Sequence, residues 1–342
     1  MRAWRGSSPL LLVVLAGLLV AGMVLAATMG YMRIPAADVL QLIRDRILGL
    51  DSSVDPVSAA VVLDVRLPRI IESVLVGGML AVCGGVFQAI LLNPLADPYT
   101  LGISSGAAFG ASLVIVLQVF GLSLPQFISV PLFAFGGGVA TLAVVLSLAA
   151  GDRRLSSTSL ILSGVIVAAI LSAAIGFLKF LADEQVGVII FWLMGSLSGA
   201  SWQDILVLVP VAVIGLLVVL LHGRDLNVMA IGERTAVTMG VDTVRLRRTL
   251  LVTCTLMASV CVAVAGIIGF VGLIVPHLLR SVIGPDNRWL LALSFFGGGL
   301  LLLFADTLTR AVLPAEVPIG VLTALIGGPF FCVIFKRKLR AE

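Results

Sequence analysis

The chain has 342 residues, of which 60% are hydrophobic and only 12% are charged, and its formal net charge is +4. Soluble domains carry roughly 25% charged residues, so this chain has too few polar groups to cover a globular surface. The composition excludes a soluble enzyme, a disordered protein and a disulfide scaffold. It predicts an all-α fold, a single polytopic membrane domain over residues 1–342.

Uncharged stretches mark the predicted crossings, because a spanning helix needs about 20 apolar residues and must satisfy its own backbone groups in lipid. The first stretch contains the apolar run Leu10–Met32. This run is about twice as long as the apolar region of a signal peptide, which favours an uncleaved first span over a signal peptide. The stretch 98–151 is long enough for two helices, and it predicts a turn near Gly121–Pro125.

The stretch 249–279 decides whether the chain crosses nine or ten times, because it is too long for one helix and short for two. The residues that could divide it into a full span and a shorter one are Gly266, Gly269, Gly272 and Pro276.

Basic residues predict the orientation and resolve the count. Arg2 and Arg5 precede the first span, and the cluster 336–340 follows the last. Because cytoplasmic loops are enriched in Lys and Arg, both termini are predicted to be cytoplasmic, which requires an even number of crossings. We therefore predict ten helices. Three arginines fall on the predicted outer side against this bias, namely Arg66, Arg69 and Arg310.

Glycines inside the predicted spans indicate close helix packing. Membrane helices gain little hydrophobic energy by associating, so small residues at their contacts are favoured. The glycines singled out on this ground are Gly77, Gly78, Gly102 and Gly106.

The sequence has no phosphate-binding loop and few carboxylates within its predicted spans. The lysines are Lys179, Lys336 and Lys338, and none lies in a phosphate-binding loop, so the chain is not predicted to be its own ATPase. The acids within spans are Glu72 and Asp306, whereas an ion-coupled carrier is expected to keep carboxylates at the membrane midplane. Glu72 follows Arg69 by three residues, which favours a local ion pair.

The longest inner loop has an unusual pattern over residues 225–242. Apolar residues at helical spacing predict two short helices that end at Gly232 and Gly240, with Asp225 and Thr235 as their N-caps. Val228, Ile231, Val237 and Met239 are expected to line one side of the pair. The pattern is typical of a docking element for another protein. The alternative interpretation is an amphipathic loop that lies at the membrane interface.

Six stretches together resemble the FecCD-type permease subunits of ATP-binding-cassette (ABC) importers for ferric siderophores, haem and cobalamin. They are Val65–Arg69, Gly77–Gly106, Phe191–Leu197, Ala230–Val241, Gly266–Arg280 and Ala305–Phe330. Because they follow one another over nearly the whole chain, the resemblance is more specific than any single motif.

The resemblance implies a fold of about ten helices with inverted-repeat halves, in the cytoplasmic (inner) membrane. It implies a homodimer, two separate ABC ATPase subunits that bind ATP and Mg, and an extracytoplasmic substrate-binding protein. No cofactor or metal is expected on this chain itself, and no nucleic acid is expected as a partner. The implied function is import by alternating access at the homodimer interface, with a ferric siderophore ranked before haem or cobalamin. The alternative from another class is an ion-coupled secondary carrier.

The resemblance also implies roles for individual residues. The residues expected to couple the chain to the ATPase are Asp225, Ala230, Gly232, Glu233, Arg234, Ala236, Gly240 and Val241. Those expected to dock the binding protein are Arg66, Arg69 and Arg310, for which snorkelling at the headgroups is the alternative. Those expected to serve helix packing or the pathway are Gly77, Gly78, Gln88, Asn93, Pro94, Gly102, Gly106, Gly269 and Pro276.

Overall fold

A computed structural model describes residues 8–121, 125–152, 155–311 and 316–339, and helices dominate these ranges. The α-helices are α1 (Ser8–Thr28), α2 (Ala36–Leu48), α3 (Pro56–Ala60), α4 (Leu67–Ile90), α5 (Ile103–Val119), α6 (Gln126–Ala149), α7 (Ser157–Ala182), α8 (Val186–Leu193), α9 (Trp202–Leu221), α10 (Gly223–Ile231), α11 (Glu233–Thr238), α12 (Thr243–Ala265), α13 (Val271–Ile283), α14 (Asn287–Ala311) and α15 (Ile319–Leu339). A π-helical stretch, Val61–Arg66, joins α3 to α4.

Ten apolar helical segments lie within the described ranges, in agreement with the predicted number. Seven are long enough to cross a membrane, and three shorter ones belong to α5, α13 and α15. The predicted division of 249–279 is confirmed, because α12 ends at Ala265 and α13 begins at Val271. The predicted turn between α5 and α6 is also confirmed, although residues 122–124 lie outside the described part.

Helix α4 forms the centre of the bundle. It packs against α14, α13, α12 and α9, and nearly all of its residues are buried. Glycine makes the closest of these contacts possible. A Cβ added at Gly77 would collide with the backbone of Gly298 on α14, and one at Gly84 would collide with Gly272 on α13. Helices that share lipid as solvent are held together by such close van der Waals contact.

The contacts between helices repeat in the two parts of the chain. Helix α4 packs on α14 and α13, and α12 packs correspondingly on α6 and α5. The pairs α5 with α6 and α5 with α7 likewise correspond to α13 with α14 and α13 with α15. The halves α4–α7 and α12–α15 therefore share a pattern of helix contacts, as expected of the implied inverted repeat.

The bundle has two distinct ends. At one, which we call the arginine end, Arg66, Arg69 and Arg310 lie near the start of α4 and the finish of α14. At the other, which we call the coupling end, α10 and α11 connect α9 to α12. Arg2, Arg5 and Arg340, which contribute to the predicted orientation, lie outside the described residues, so the orientation stays a prediction.

The amphipathic helix α2 between α1 and α4 was not anticipated. Val39 and Leu42 are buried against α1 and the segment before α4. The flanking Pro35 and Gly49 are a signal that could have found it, since proline is common at helix starts and glycine just past helix ends.

Candidate coupling and docking sites

Two short helices occupy the segment for which a docking element is predicted. Gly232 separates α10 from α11 with φ 145°, and Gly240 follows α11 with φ 86°, so both hold backbone conformations that other residues rarely adopt. The predicted caps are wrong. His222 and Gly232 precede the two helices, while Asp225 lies in the first turn of α10. Because α9 continues into α10 almost without interruption, no extended residue is left to act as a cap there.

The α10–α11 pair buries one face and exposes the other. Leu226, Met229 and Ala236 are fully buried against the bundle. Apolar side chains on the opposite face are largely exposed, with Ile231 at 71% and Met239 at 63%. The other predicted coupling residues vary: Ala230, Arg234 and Gly240 are exposed, whereas Asp225, Gly232, Glu233 and Val241 are half-buried. An exposed apolar face on a loop helix is a surface suited to another protein.

A polar latch ties α10 to the corner between α13 and α14. The Asn227 amide donates to Asp286 at 2.7 Å, and the backbone N–H of Asn287 donates to Asn227 Oδ1 at 2.7 Å. Arg288 forms an ion pair with Asp286, also at 2.7 Å. The hydrogen bond from Arg288, with a smaller contribution from Asn227, lowers the pKa of Asp286 to about 2. The carboxylate is therefore ionised at physiological pH.

At the arginine end, two arginines bind the last turn of α1 and the residues that follow it. Arg66 donates to the carbonyls of Ala27 and Met32, and Arg310 donates to those of Ala26 and Met29. The last carbonyls of a helix lack intrahelical donors, and cations are favourable there. These two arginines therefore fix α1 to the bundle.

The third arginine joins α4 to α14 and to the segment before α15. Arg69 Nε donates to Asp306 at 2.8 Å, and Nη1 donates to Glu316 at 2.9 Å. The predicted ion pair between Arg69 and Glu72 is wrong, because Arg69 has these partners instead and Glu72 Oε2 is buried without a hydrogen bond. The two carboxylate partners of Arg69 come from far along the chain, so the spacing of residues along α4 could not reveal them.

These partners bear directly on the predicted docking role. All three guanidinium groups bind carbonyls or carboxylates of this chain and are mostly buried, so they are not simply snorkelling into the headgroups. Glu316 is the exception in this cluster, since 52% of its side chain is exposed. A docking role for Arg66, Arg69 and Arg310 remains a prediction.

Several predicted packing residues make close contacts between helices, between the two halves at Gln88 and Gly78 and within one half at Gly106. Gln88 donates to the Gly272 and Leu273 carbonyls of α13 and accepts from Arg280 at 2.7 Å. Gly106 lies where a Cβ would collide with Thr141 on α6, and Gly78 where one would meet Phe295 on α14.

The remaining predicted packing residues are placed differently. Gly102 approaches Gly164 of α7, and Pro276 lies within α13 close to Gly85. Asn93 closes a local turn by accepting from the Leu95 N–H, and Pro94 is exposed. Gly269 faces open space, so a packing role does not account for it.

Sequence reasoning missed the residues that hold the two ends in place. They are Asn227 and Asp286 in the α10 latch, Asp306 and Glu316 around Arg69, and Arg247 beside Glu233. Asp306 and Glu316 carried a usable signal, since both fall within the last stretch of the resemblance. The others had none that a single sequence displays.

Ten apolar helices, paired inverted halves and a two-helix segment between the sixth and seventh crossings define a membrane transport subunit. The model of the FecCD transport family matches residues 18–337. The chain therefore belongs to the FecCD transport family, and it is the permease subunit of an ABC importer.

Known relatives agree with this assignment. The cobalamin import system permease protein BtuC of Halobacterium salinarum is 41% identical over 295 residues, which cover 85% of this chain and 78% of that protein. The hemin transport system permease protein HmuU of Yersinia pestis is 41% identical over 286 residues, covering 81% and 83%. A solved metal-chelate type ABC transporter in an inward-facing conformation has a TM-score of 0.81 at 33% identity, covering 96% of this chain and 99% of that one.

Proposed function

We propose that two copies of this chain form a gated passage in the cytoplasmic membrane and import a metal chelate by alternating access. The energy comes from two separate ATPase subunits, which bind ATP and Mg and dock on the α10–α11 pair at the coupling end. A substrate-binding protein delivers the chelate at the arginine end. Both termini are then cytoplasmic.

The observation that carries this proposal is the form of the coupling segment. Two short helices expose apolar side chains on one face, while Leu226 and Met229 anchor them on the other. The Asn227–Asp286 latch ties them to the transmembrane helices. A surface that is both exposed and firmly attached suits the transfer of movement from a partner into the bundle.

The substrate is proposed as a ferric siderophore, with haem and cobalamin as the other candidates. The two relatives named above are described as cobalamin and hemin permeases, and the structural neighbour as a metal-chelate transporter. The candidate spans hold few charged residues that could bind a substrate, so selection is assigned to the binding protein.

The test is uptake by proteoliposomes that contain this chain, its P-loop ATPase and its binding protein. Radiolabelled ferric siderophore, haem and cobalamin are each supplied outside, with ATP inside. We expect uptake of one of them, and we expect its loss when Gly232→Pro is combined with Gly240→Pro, because proline cannot adopt a positive φ. Normal uptake by a double variant that inserts and binds its ATPase normally would refute the coupling role of α10–α11.

One observation favours the alternative of an ion-coupled carrier. Glu72 is 1% exposed within α4, and its Oε2 has no hydrogen-bond partner. Buried carboxyl groups in spans are common in proton relays. If Glu72 served as one, uptake would follow an ion gradient without ATP, and Glu72→Gln would abolish it.

A further inference from the structure

Arg247 lies deep in the coupling end. It belongs to the second turn of α12, and its side chain is only 2% exposed, which makes it the largest fully buried side chain in the described part of the chain. A guanidinium is costly to bury unless it is paired and hydrogen-bonded. Its partners therefore show what the residue holds together.

Two of its partners come from separate elements. Nη2 of Arg247 donates to Glu233 Oε2 of α11 at 3.2 Å, and Nη1 donates to the Leu155 carbonyl, just before α7, at 3.4 Å. The planar fork of arginine presents several donors in fixed directions, so one side chain can bridge two elements. Lysine, with a single ammonium, has no such fork.

The Leu155 end of this bridge is a strained position. Leu155 has φ 49°, a left-handed conformation that leucine rarely adopts. Asp152 ties the same connection to the start of α7 by accepting from the Ser156 N–H at 2.9 Å and the Ser159 hydroxyl at 3.0 Å. A displacement of Leu155 would therefore reach α7, and strained residues of this kind often mark switch regions.

At the other end of the bridge, Glu233 lies on α11, a helix that depends on contacts with the rest of the protein. Helix α11 has six residues, too few to be stable without tertiary contacts. Its neighbour α10 is latched to a different corner, between α13 and α14, through Asn227 and Asp286. The α10–α11 pair thus reaches the half α12–α15 through Asn227, and it reaches the start of α7 in the other half through the Glu233–Arg247–Leu155 bridge.

We infer that Arg247 is a positioning residue that transmits displacement of α11 to the connection between α6 and α7, and so to α7. This inference rests on the proposed function, in which the ATPase moves the α10–α11 pair. Arg247 itself contacts neither nucleotide nor substrate in this scheme.

The test uses the complex of this chain with its ATPase and measures two quantities. One is the amount of substrate imported per ATP hydrolysed. The other is amide hydrogen exchange in residues 223–241 and 150–156, with and without ATP plus vanadate. In the natural protein we expect both segments to respond to nucleotide.

Arg247→Met is expected to break the link. Residues 223–241 should still respond, residues 150–156 should not, and import per ATP should fall at least about tenfold, the effect of losing one strong interaction in the moving state. Arg248→Met, the neighbouring exposed arginine, is the matched control and should behave like the natural protein. Arg247→Lys should behave like the Met variant.

If Arg247→Met fails to fold, Glu233→Ala provides the same test. It removes the acceptor of the Arg247 hydrogen bond, and the side chain it removes is only half-buried. The same loss of response in 150–156 is expected. Retention of that response, or of normal import per ATP, in either folded variant would overturn the inference. No response of residues 223–241 in the natural complex would instead overturn the proposed function, and the inference with it.

Discussion

Arg69 has two carboxylate partners that differ in their shielding from water. Asp306 is fully buried on α14, whereas Glu316 is half-exposed before α15. Removing one member of a buried pair leaves an uncompensated charge, but a pair that water can reach contributes little. The two bonds have nearly equal lengths, and yet the two acids are expected to matter very differently.

Arg69→Met should lower the free energy of unfolding by about 3 kcal/mol, because Asp306 would lose its hydrogen-bonded cation and keep only Arg310, at 3.9 Å. Glu316→Gln is the matched control and should change it by less than about 1 kcal/mol. Unfolding by SDS in mixed micelles measures both. Equal losses in the two variants would contradict the assignment of Asp306 as the buried anchor.

Residue partners were the part of the structure least accessible from the sequence. Arg69 and Asp306 are 237 positions apart, and only the packing of α4 on α14 brings them together. Glu72 has the helical spacing for an ion pair with Arg69, but Arg69 binds the two distant acids instead. The predicted N-cap at Asp225 was wrong for a related reason. Helix α9 runs into α10 almost without a break, so Asp225 lies inside the first turn of α10 and not before it.

Helical elements were far more predictable, because lipid forces long apolar segments to be helical. Uncharged stretches located the spans, and glycine and proline located the division of 249–279. The α2 helix escaped because it lies between spans, where hydropathy gives no signal. Which faces of the helices meet depends on glycine contacts such as Gly77 with Gly298, and these need the three-dimensional arrangement.

Gly77→Ala should destabilise the bundle by about 1–3 kcal/mol, since the added methyl group would force α4 and α14 apart. Gly17→Ala on α1 is the control, because an added Cβ there meets nothing within 4 Å. It should be neutral or stabilising by up to about 1 kcal/mol, as alanine favours helix. The midpoint of thermal unfolding in detergent reports both, and equal behaviour would contradict close packing at Gly77.

The whole molecule combines a rigid bundle with two attached ends. The halves α4–α7 and α12–α15 repeat one pattern of helix contacts around α4 and α12. The coupling end offers an exposed apolar surface, and the arginine end gathers three buried cations with their acids. Movement of α10–α11 is expected to pass into both halves, through Asn227 to α14 and through Arg247 to α7.

The driving force of uptake tests this account most directly. Proteoliposomes holding this chain, its ATPase and its binding protein are given either ATP inside without an ion gradient, or an imposed proton or sodium gradient without ATP. Accumulation of the chelate with ATP alone, and its absence when the ATPase is omitted, is the predicted result. Accumulation driven by the gradient in vesicles that contain only this chain would contradict it.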